Sequence, residues 1–584
     1  MVLYRGESRG TFAIDVGSEM TAISWQELLH DEEVQEPNLV GGWLPSDPHK
    51  VKFPSSILYR GKTPIHFGYA AESMADEEPH SRLVKGFKLA LHPLHMQDQA
   101  CKALPGVDAV ASQQYQKPVL PTDITEVYRI FYTYVLEHTR DVYIKARENG
   151  QRQWQDLIAS AHFVLPHPNG WTAVEQDVLK SPCLLCTESC AEAFEQYKCL
   201  SASNMQFEDV ATDCLQSGAM YVTRAMTHTI LEKLQNSSLF VKEEDAYNSD
   251  GSTEFEMITR PEDSVKPVTY LASCVKEAAT TFDRDIKPRW IGTEHGNERV
   301  RFGSHRDNDR AYGITAGKLL ISAREVSRTF EGCSTRILAR MKALLARQAS
   351  QGVEAIFLVG GFGDSPFLQR FLSQLFPSPS HPVPIVVSST SNPGVKAVAA
   401  GGIWFYLHKD AVVRRSAAFY YGIRTKTTFD KQDNEHLARR EMCITDYDGS
   451  QCLNGQFSCL IKKNISSLSD DYRSFSFGLN YRSPPDLSTF AVALYVCTDD
   501  VKPTWLLDEC GQQVSSFLEI GYVTCENAKL PVTRKIGLSG KSYWSMKFRI
   551  GVAFGGLQIK ARIESPDGSF KSIPIKFRAN SLKG

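Results

Sequence analysis

Ala355-Ile-Phe-Leu-Val-Gly360-Gly361-Phe362-Gly363-Asp364-Ser365-Pro366 reads as a strand, a glycine turn and the start of a helix. Ile356 to Val359 supply the apolar run, and Ser365 with Pro366 predicts a helix start with Ser as the cap and Pro in the first turn. A glycine turn at the carboxyl edge of a sheet is where nucleotides sit in α/β folds. About 340 residues upstream, Thr11-Phe-Ala-Ile-Asp15-Val-Gly17-Ser18-Glu19 is an apolar strand running into an acidic, glycine-bearing turn. It offers a carboxylate, an open backbone and a hydroxyl, the groups that phosphate oxygens and a hydrated Mg²⁺ require. Taken singly, the first segment also fits a generic strand-to-helix turn and the second a plain hairpin. Their order along one chain is what points to a fold.

The rest of the chain sets bounds on that reading. With 584 residues it is too long for one core, so two to four domains are expected. A hydrophobic share of 42% and a charged share of 23% are ordinary for a soluble globular protein. The net charge of -2 gives no electrostatic reason to expect nucleic acid or an anionic membrane as partner. No apolar run approaches the ~18–20 residues that cross a bilayer. The start, Met1-Val-Leu-Tyr-Arg-Gly-Glu, shows no secretory signal, so the fourteen cysteines are expected to be reduced thiols in the cytoplasm.

Periodicity places the elements. Residues 11–25 predict two strands joined by the Asp15–Met20 turn. Thr122 and Asp123 can cap a helix near 122–148, with Ile124, Val127, Ile130, Phe131, Tyr134, Val135 and His138 on one face. Ala161 to Pro166 suits a buried parallel strand. The polar, acidic stretch 241–260 reads as an exposed insertion. Ser322 and Glu325 form a capping box ahead of a long helix ending by Gly352. After about residue 411 the alternation of Met546, Phe548, Ile550 and Val552, then Ile559, Ala561 and Ile563, predicts antiparallel strands and an all-β tail. Cys183, Cys186, Cys190 and Cys199 invite a zinc reading, but the spacing of the second pair is too long, and core packing is the better account.

Taken in order, Asp15-Val-Gly-Ser, Gly86-Phe-Lys88-Leu, Thr187-Glu188-Ser-Cys-Ala-Glu-Ala and Gly360-Gly-Phe-Gly-Asp-Ser resemble the ATPase domain of the 70 kDa heat-shock chaperones. The chain is most similar to their divergent heat shock 70 kDa protein 12-like branch, many of whose members are fungal. Cys214-Leu-Gln-Ser217-Gly218 resembles the glycine turn opening the second lobe, and Asn392-Pro393 with Ala397 to Gly402 resembles the final helix of that domain. The resemblance implies an α/β, two-lobed actin-like ATPase (ribonuclease H-like) fold followed by a β-rich C-terminal domain. Lobe I would span 1–187, completed by about 388–410; lobe II would span 188–387; and the β-rich domain 411–584.

The same resemblance implies roles. Asp15, Gly17 and Ser18 would face the β- and γ-phosphates, with Asp15 holding Mg²⁺ through water. Lys88 and Glu188 would be catalytic, the first on the γ-phosphate and attacking water, the second on the water shell of the metal. Ser217, Gly218, Lys287, Gly360, Gly361, Gly363 and Ser365 would bind the nucleotide, Lys287 on the adenine side. ATP or ADP with Mg²⁺ would be the ligands, and polypeptide clients the partners of the β-rich domain.

One element of the family pattern is missing. The second phosphate loop, Asp-x-Gly-Gly-Gly-Thr, should follow the segment around Glu188, yet Cys199 to Asp209 leads almost directly into Cys214-Leu-Gln-Ser-Gly. Glu19 also stands where a hydroxyl or small polar residue is usual, and a carboxylate repels polyphosphate unless a cation intervenes. Losing one preorganised group of this kind costs about 10²–10³-fold in rate. Impaired hydrolysis is therefore expected, and the alternative is a catalytically dead pseudo-ATPase serving as an interaction scaffold.

Overall fold

The computed structural model describes residues 3–93, 118–168, 171–186, 207–208, 215, 217–240, 270–347, 353–376, 384–387, 397–408, 412–468, 472–526, 530–553, 559–568, 570–573 and 575–576. It is a mixed α/β chain with several sheets, and it divides into two compact units. The first gathers the described residues up to 93, from 118 to 208 and from 399 onward; the second gathers those from 215 to 398.

In the first unit the strands Arg9–Val16 and Met20–Leu28 form an antiparallel hairpin in which Asp15 faces Ala22 and Val16 faces Thr21. His162–Val164 joins Arg9–Val16 in parallel, as the apolar run predicts. Between them runs the helix Ile124–Lys145, where Thr125 N–H donates to the Asp123 carboxylate at 2.8 Å and so confirms Asp123 as the cap. Its buried face includes Tyr128, Tyr132 and Leu136 beside Val127, Phe131 and Val135. Ile124 and Ile130 are only half-buried, so the stripe is rotated from the one read off the aliphatic residues.

The helix Ala397–Leu407 covers this sheet. Ser24 Oγ donates to the Ala399 carbonyl oxygen at 2.8 Å, and Ile403, Tyr406 and Leu407 share a core with Tyr4, Ala13 and Leu28. Gly402 makes the approach possible. A Cβ there would lie 3.0 Å from Ala13 Cβ and 3.4 Å from Val164 Cγ1.

The tail folds into two antiparallel sheets. One has six strands in the order Cys443–Thr445, Gln451–Ile461, Tyr420–Thr428, Thr489–Cys497, Phe517–Glu526 and Ile575–Lys576. The other has Arg473–Tyr481, Ser542–Ala553, Lys560–Glu564 and Phe570–Ile573, with Val532–Ile536 also paired to Ser542–Ala553. Met546, Phe548, Ile550 and Val552 are buried, as their alternation predicts, and share a core with Phe419, Ile423, Leu494 and Val523. The all-β expectation needs correction: a short helix, Asn434–Ala438, interrupts the strands, capped by Asp433 at 2.8 Å from Glu435 N. Val174, on the helix Ala173–Cys186, sits in the same core, and Phe207–Glu208 pairs in parallel with Val412–Ser416.

The second unit is built on the helices Ala219–Gln235, Leu271–Thr281 and Ala323–Arg347. Val222, Met226, Ile230, Phe282, Trp290, Val326 and Phe330 form its core. The capping box is in place: Ser322 N–H donates to Glu325 Oε2 at 2.7 Å and Glu325 N–H to Ser322 Oγ at 3.2 Å. Lys233 Nζ adds bonds to Glu325 Oε2 at 2.9 Å and to the Leu320 carbonyl at 3.0 Å. Ile356–Leu358 pairs in parallel with Ile385–Val387, and the helix Pro366–Ser373 follows the glycine turn. Among the described residues no helix is long and apolar enough to cross a membrane.

Candidate functional site

The hairpin turn of the first unit is closed by Gly17 N–H donating to the Met20 carbonyl at 3.0 Å. Gly17 is required there, because a Cβ would meet that same carbonyl oxygen at 2.4 Å. Gly86, left-handed at φ 63°, lies against the turn: the Ser18 carbonyl oxygen is 3.9 Å from where its Cβ would be. The chain then enters a 3₁₀ turn, Phe87–Leu91, which aims Lys88 at the hairpin. Lys88 Nζ donates to the Val16 carbonyl oxygen at 2.6 Å. Two segments that the sequence ties together only by resemblance thus converge on one spot.

Burial around the Lys88 ammonium pushes its pKa below the usual lysine range, and the Asp15 carboxylate offsets part of this. Trp171 lies alongside, its ring centroid 5.8 Å from Nζ. The indole is buried, and its Nε1–H has no hydrogen-bond partner among the described residues. His167 stacks parallel to Trp171 at 6.4 Å, and His92 meets it edge-on at 6.0 Å. Although His167 reaches the surface, the chain packed around it holds its pKa below the ordinary value. A bond to the Pro168 carbonyl opposes this, and the cations Lys180, Lys88 and Arg415 reinforce it. Neither Trp171 nor His167 was expected from sequence, where they sit in an unpatterned loop.

In the second unit Gly360 takes a left-handed φ of 83° and Gly363 admits no side chain, since a Cβ would strike the Val359 carbonyl at 2.7 Å. Gly361 faces open space. Ser365 stands at the helix N-cap position, but its side chain makes no capping bond, which corrects the sequence reading. Its Oγ and Asp364 Oδ2 are both buried without a partner among the described residues. Buried hydroxyl and carboxylate oxygens in that state are costly unless something fills their bonds.

Two other candidates are committed internally. Ser217 Oγ donates to the Cys333 carbonyl at 3.0 Å, tying the Gly218 turn to the helix Ala323–Arg347, and Gly218 itself precedes the helix Ala219–Gln235. Lys287 pairs with Asp283 and donates to Thr223 Oγ1 at 2.9 Å, while that hydroxyl donates to Asp283 at 2.5 Å. Asp283 and Thr223 give Lys287 a structural role that an isolated lysine in the sequence could not reveal. Glu188, Cys190, Cys199, Asn392, Pro393 and the stretch 241–260 lie outside the described residues.

The donor set suits a polyphosphate: one ammonium, one unpartnered indole N–H and a glycine turn in a small space. For Mg²⁺, which keeps most of its waters and takes one or two carboxylates beside phosphate oxygens, Asp15 supplies one group. Cys274, Cys333, Cys443, Cys452, Cys459, Cys497 and Cys510 carry free thiols. No protein-family model matches this chain, and no curated protein matches it in sequence.

Proposed function

We propose that this protein is an ATP-binding protein of the actin-like, heat-shock 70 kDa type, with slow or absent hydrolysis. The observation that carries the reading is the convergence of Gly86 and Lys88 on the Asp15–Ser18 turn. In the resembling family these segments serve the phosphates. An ammonium, a carboxylate and a tight glycine turn are the groups a metal-bound polyphosphate uses. The unpartnered oxygens of Asp364 and Ser365 beside Gly360 and Gly363 support a nucleoside-recognising role for the second glycine motif. ATP or ADP with Mg²⁺ would be the ligands, polypeptide clients would meet the β-rich tail, and the cytoplasm would be the setting.

The scaffold alternative is favoured by the missing Asp-x-Gly-Gly-Gly-Thr loop. A chain that has lost this loop keeps the means to hold a nucleotide but not to organise the attacking water.

Calorimetric titration with ATP and ADP, with and without Mg²⁺, tests the reading against an Asp15→Ala control. Micromolar binding, about -8 kcal/mol, weakened by the control, is the expected result. Absence of binding at millimolar nucleotide overturns it. A single-turnover assay on the binding-competent protein then separates a slow ATPase from a pseudo-ATPase.

A further inference from the structure

One hairpin tip of the β-rich tail holds two aliphatic side chains out in water. Val532–Ile536 and Ser542–Ala553 are joined by Gly537-Leu538-Ser539-Gly540-Lys541, where Leu538 is 85% and Ile536 79% exposed. Among the described residues no large apolar side chain is more exposed than Leu538. Single exposed aliphatics are ordinary on a protein surface, but neighbouring ones at a summit mark a contact surface. The tip is firmly held: Gly537 N–H donates to the Lys541 carbonyl at 2.9 Å and Gly540 N–H to the Gly537 carbonyl at 3.0 Å. Leu538 N–H donates to the Asp448 carbonyl at 2.8 Å, which ties this turn to the one between Cys443–Thr445 and Gln451–Ile461. Tyr447, 49% exposed, belongs to that second turn.

Cations follow directly behind the tip. Arg534, Lys535 and Lys541 are exposed, and the two lysines form no ion pair among the described residues. Arg534 pairs across the strands with Trp544 and Lys535 with Tyr543, and both rings are half-buried. At about 3.3 Å per strand residue, Arg534 and Trp544 lie roughly 7 Å behind Ile536. The carboxylates of the neighbouring turn are bonded internally: Asp446 accepts from Lys426 at 3.1 Å and Asn480 at 3.0 Å, and Asp448 from Ser450 Oγ at 2.6 Å.

We propose that this hairpin tip docks on an anionic lipid surface. Leu538, Ile536 and Tyr447 enter the boundary of the acyl chains, while Arg534, Lys535 and Lys541 meet lipid phosphates. Interfacial segments bury apolar groups about 5–10 Å deep, with cations and aromatic rings at the headgroups. The hairpin has that order: aliphatic side chains at the summit, then cations, then Tyr543 and Trp544. Protruding aliphatic side chains suit a soft layer that they can enter, whereas peptide recognition in a groove encloses its guest. A second copy presenting the same tip would set three cations against three. The net charge of -2 is no obstacle, because it sums the whole chain while a surface charge acts over about 8–10 Å at physiological salt. The inference stands apart from the nucleotide reading and survives its failure.

The test is co-sedimentation of the full chain with phosphatidylcholine vesicles, with and without phosphatidylserine. Binding is expected on the anionic vesicles, about tenfold or more weaker on the neutral ones, and falling as salt is added. Ile536→Ser with Leu538→Ser weakens it by about 10–100-fold. Lys535→Gln with Lys541→Gln weakens it by about 10–30-fold. Both pairs lie on the surface and keep the parent's circular dichroism spectrum and melting temperature. No binding to anionic vesicles overturns the inference, as does binding that either paired variant leaves unchanged. Self-association without vesicle binding, abolished by the Ile536→Ser, Leu538→Ser pair, overturns it in favour of a second copy. Binding of an apolar peptide without vesicle binding, lost in the same variant, overturns it in favour of a polypeptide partner.

Discussion

Lys88 Nζ lies 2.6 Å from the Val16 carbonyl oxygen, a bond between residues 72 positions apart that fixes the 3₁₀ turn to the hairpin. The bond satisfies one of three ammonium donors and leaves the charge in a partly dehydrated place. Burial disfavours the charged form there, and the Asp15 carboxylate offsets part of that cost.

Lys88→Met tests that trade. Burial lowers the folded-state pKa from 10.5, so on lowering the pH the unfolded chain takes the proton first and the charged lysine costs stability near neutrality. The cost fades as pH rises toward 10.5. Urea midpoints should therefore be higher for Lys88→Met at pH 7, with the gap to the parent closing on the alkaline side. Nucleotide affinity should fall by about 10–100-fold. A variant that binds normally would remove Lys88 from the site.

Gly402 offers a sharper packing test. Gly402→Ala needs a shift of a few tenths of an ångström against Ala13 Cβ, and the gain in helix propensity, up to about 1 kcal/mol, offsets it. Gly402→Leu has no such room and should cost about 1–3 kcal/mol. Equal melting temperatures for the two variants would show that the helix Ala397–Leu407 rides further from the sheet.

The capping box should respond to both mutation and acid. Ser322→Ala is expected to cost about 1 kcal/mol. Burial opposes ionisation of Glu325, yet bonds from Lys233 and Ser322 outweigh it and hold the carboxyl below 4.5. That contribution is present above pH 4.5 and is lost as pH falls through the lower folded-state value. Glu325→Gln should flatten this part of the acid limb of a denaturation profile. An unchanged limb would mean that the Lys233 pairing contributes nothing in solution.

The Thr223–Asp283–Lys287 triad decides between an adenine contact and a brace. Thr223→Val removes the hydroxyl that links both charges and should cost about 1 kcal/mol, with a measurable coupling to Asp283→Asn in a double-mutant cycle. Additive effects would show three independent side chains and return Lys287 to the list of ligand contacts.

Local grammar carried much of the fold. The hairpin after Asp15, the Asp123 cap, the Ser322–Glu325 box and the alternation through Met546–Val552 follow from short-range rules that need no partner beyond a few residues. Tyr128 and Tyr132 fall off the stripe drawn through Ile124 and Ile130, because the buried face is centred to one side of those two half-buried residues. Ser365 holds the N-cap position that its residue type suggests, yet makes no capping bond, because a cap depends on where Oγ points as well as on the residue type. At the candidate site, Asp15 is legible in its strand and glycine turn, whereas Lys88 is legible only through the family pattern. Trp171 and His167 sit in one loop with no period of its own, and only the folded chain lays them beside Lys88.

The seating of Ala397–Leu407 against Ala13, Ser24 and Val164 also sets a clock. The first strand leaves the ribosome early, but the helix that covers it arrives some 390 residues later. At about 5–20 residues per second that is roughly 20–80 s with an apolar sheet face uncovered. During synthesis the inner face of that sheet is therefore open to premature sticking until the helix Ala397–Leu407 arrives.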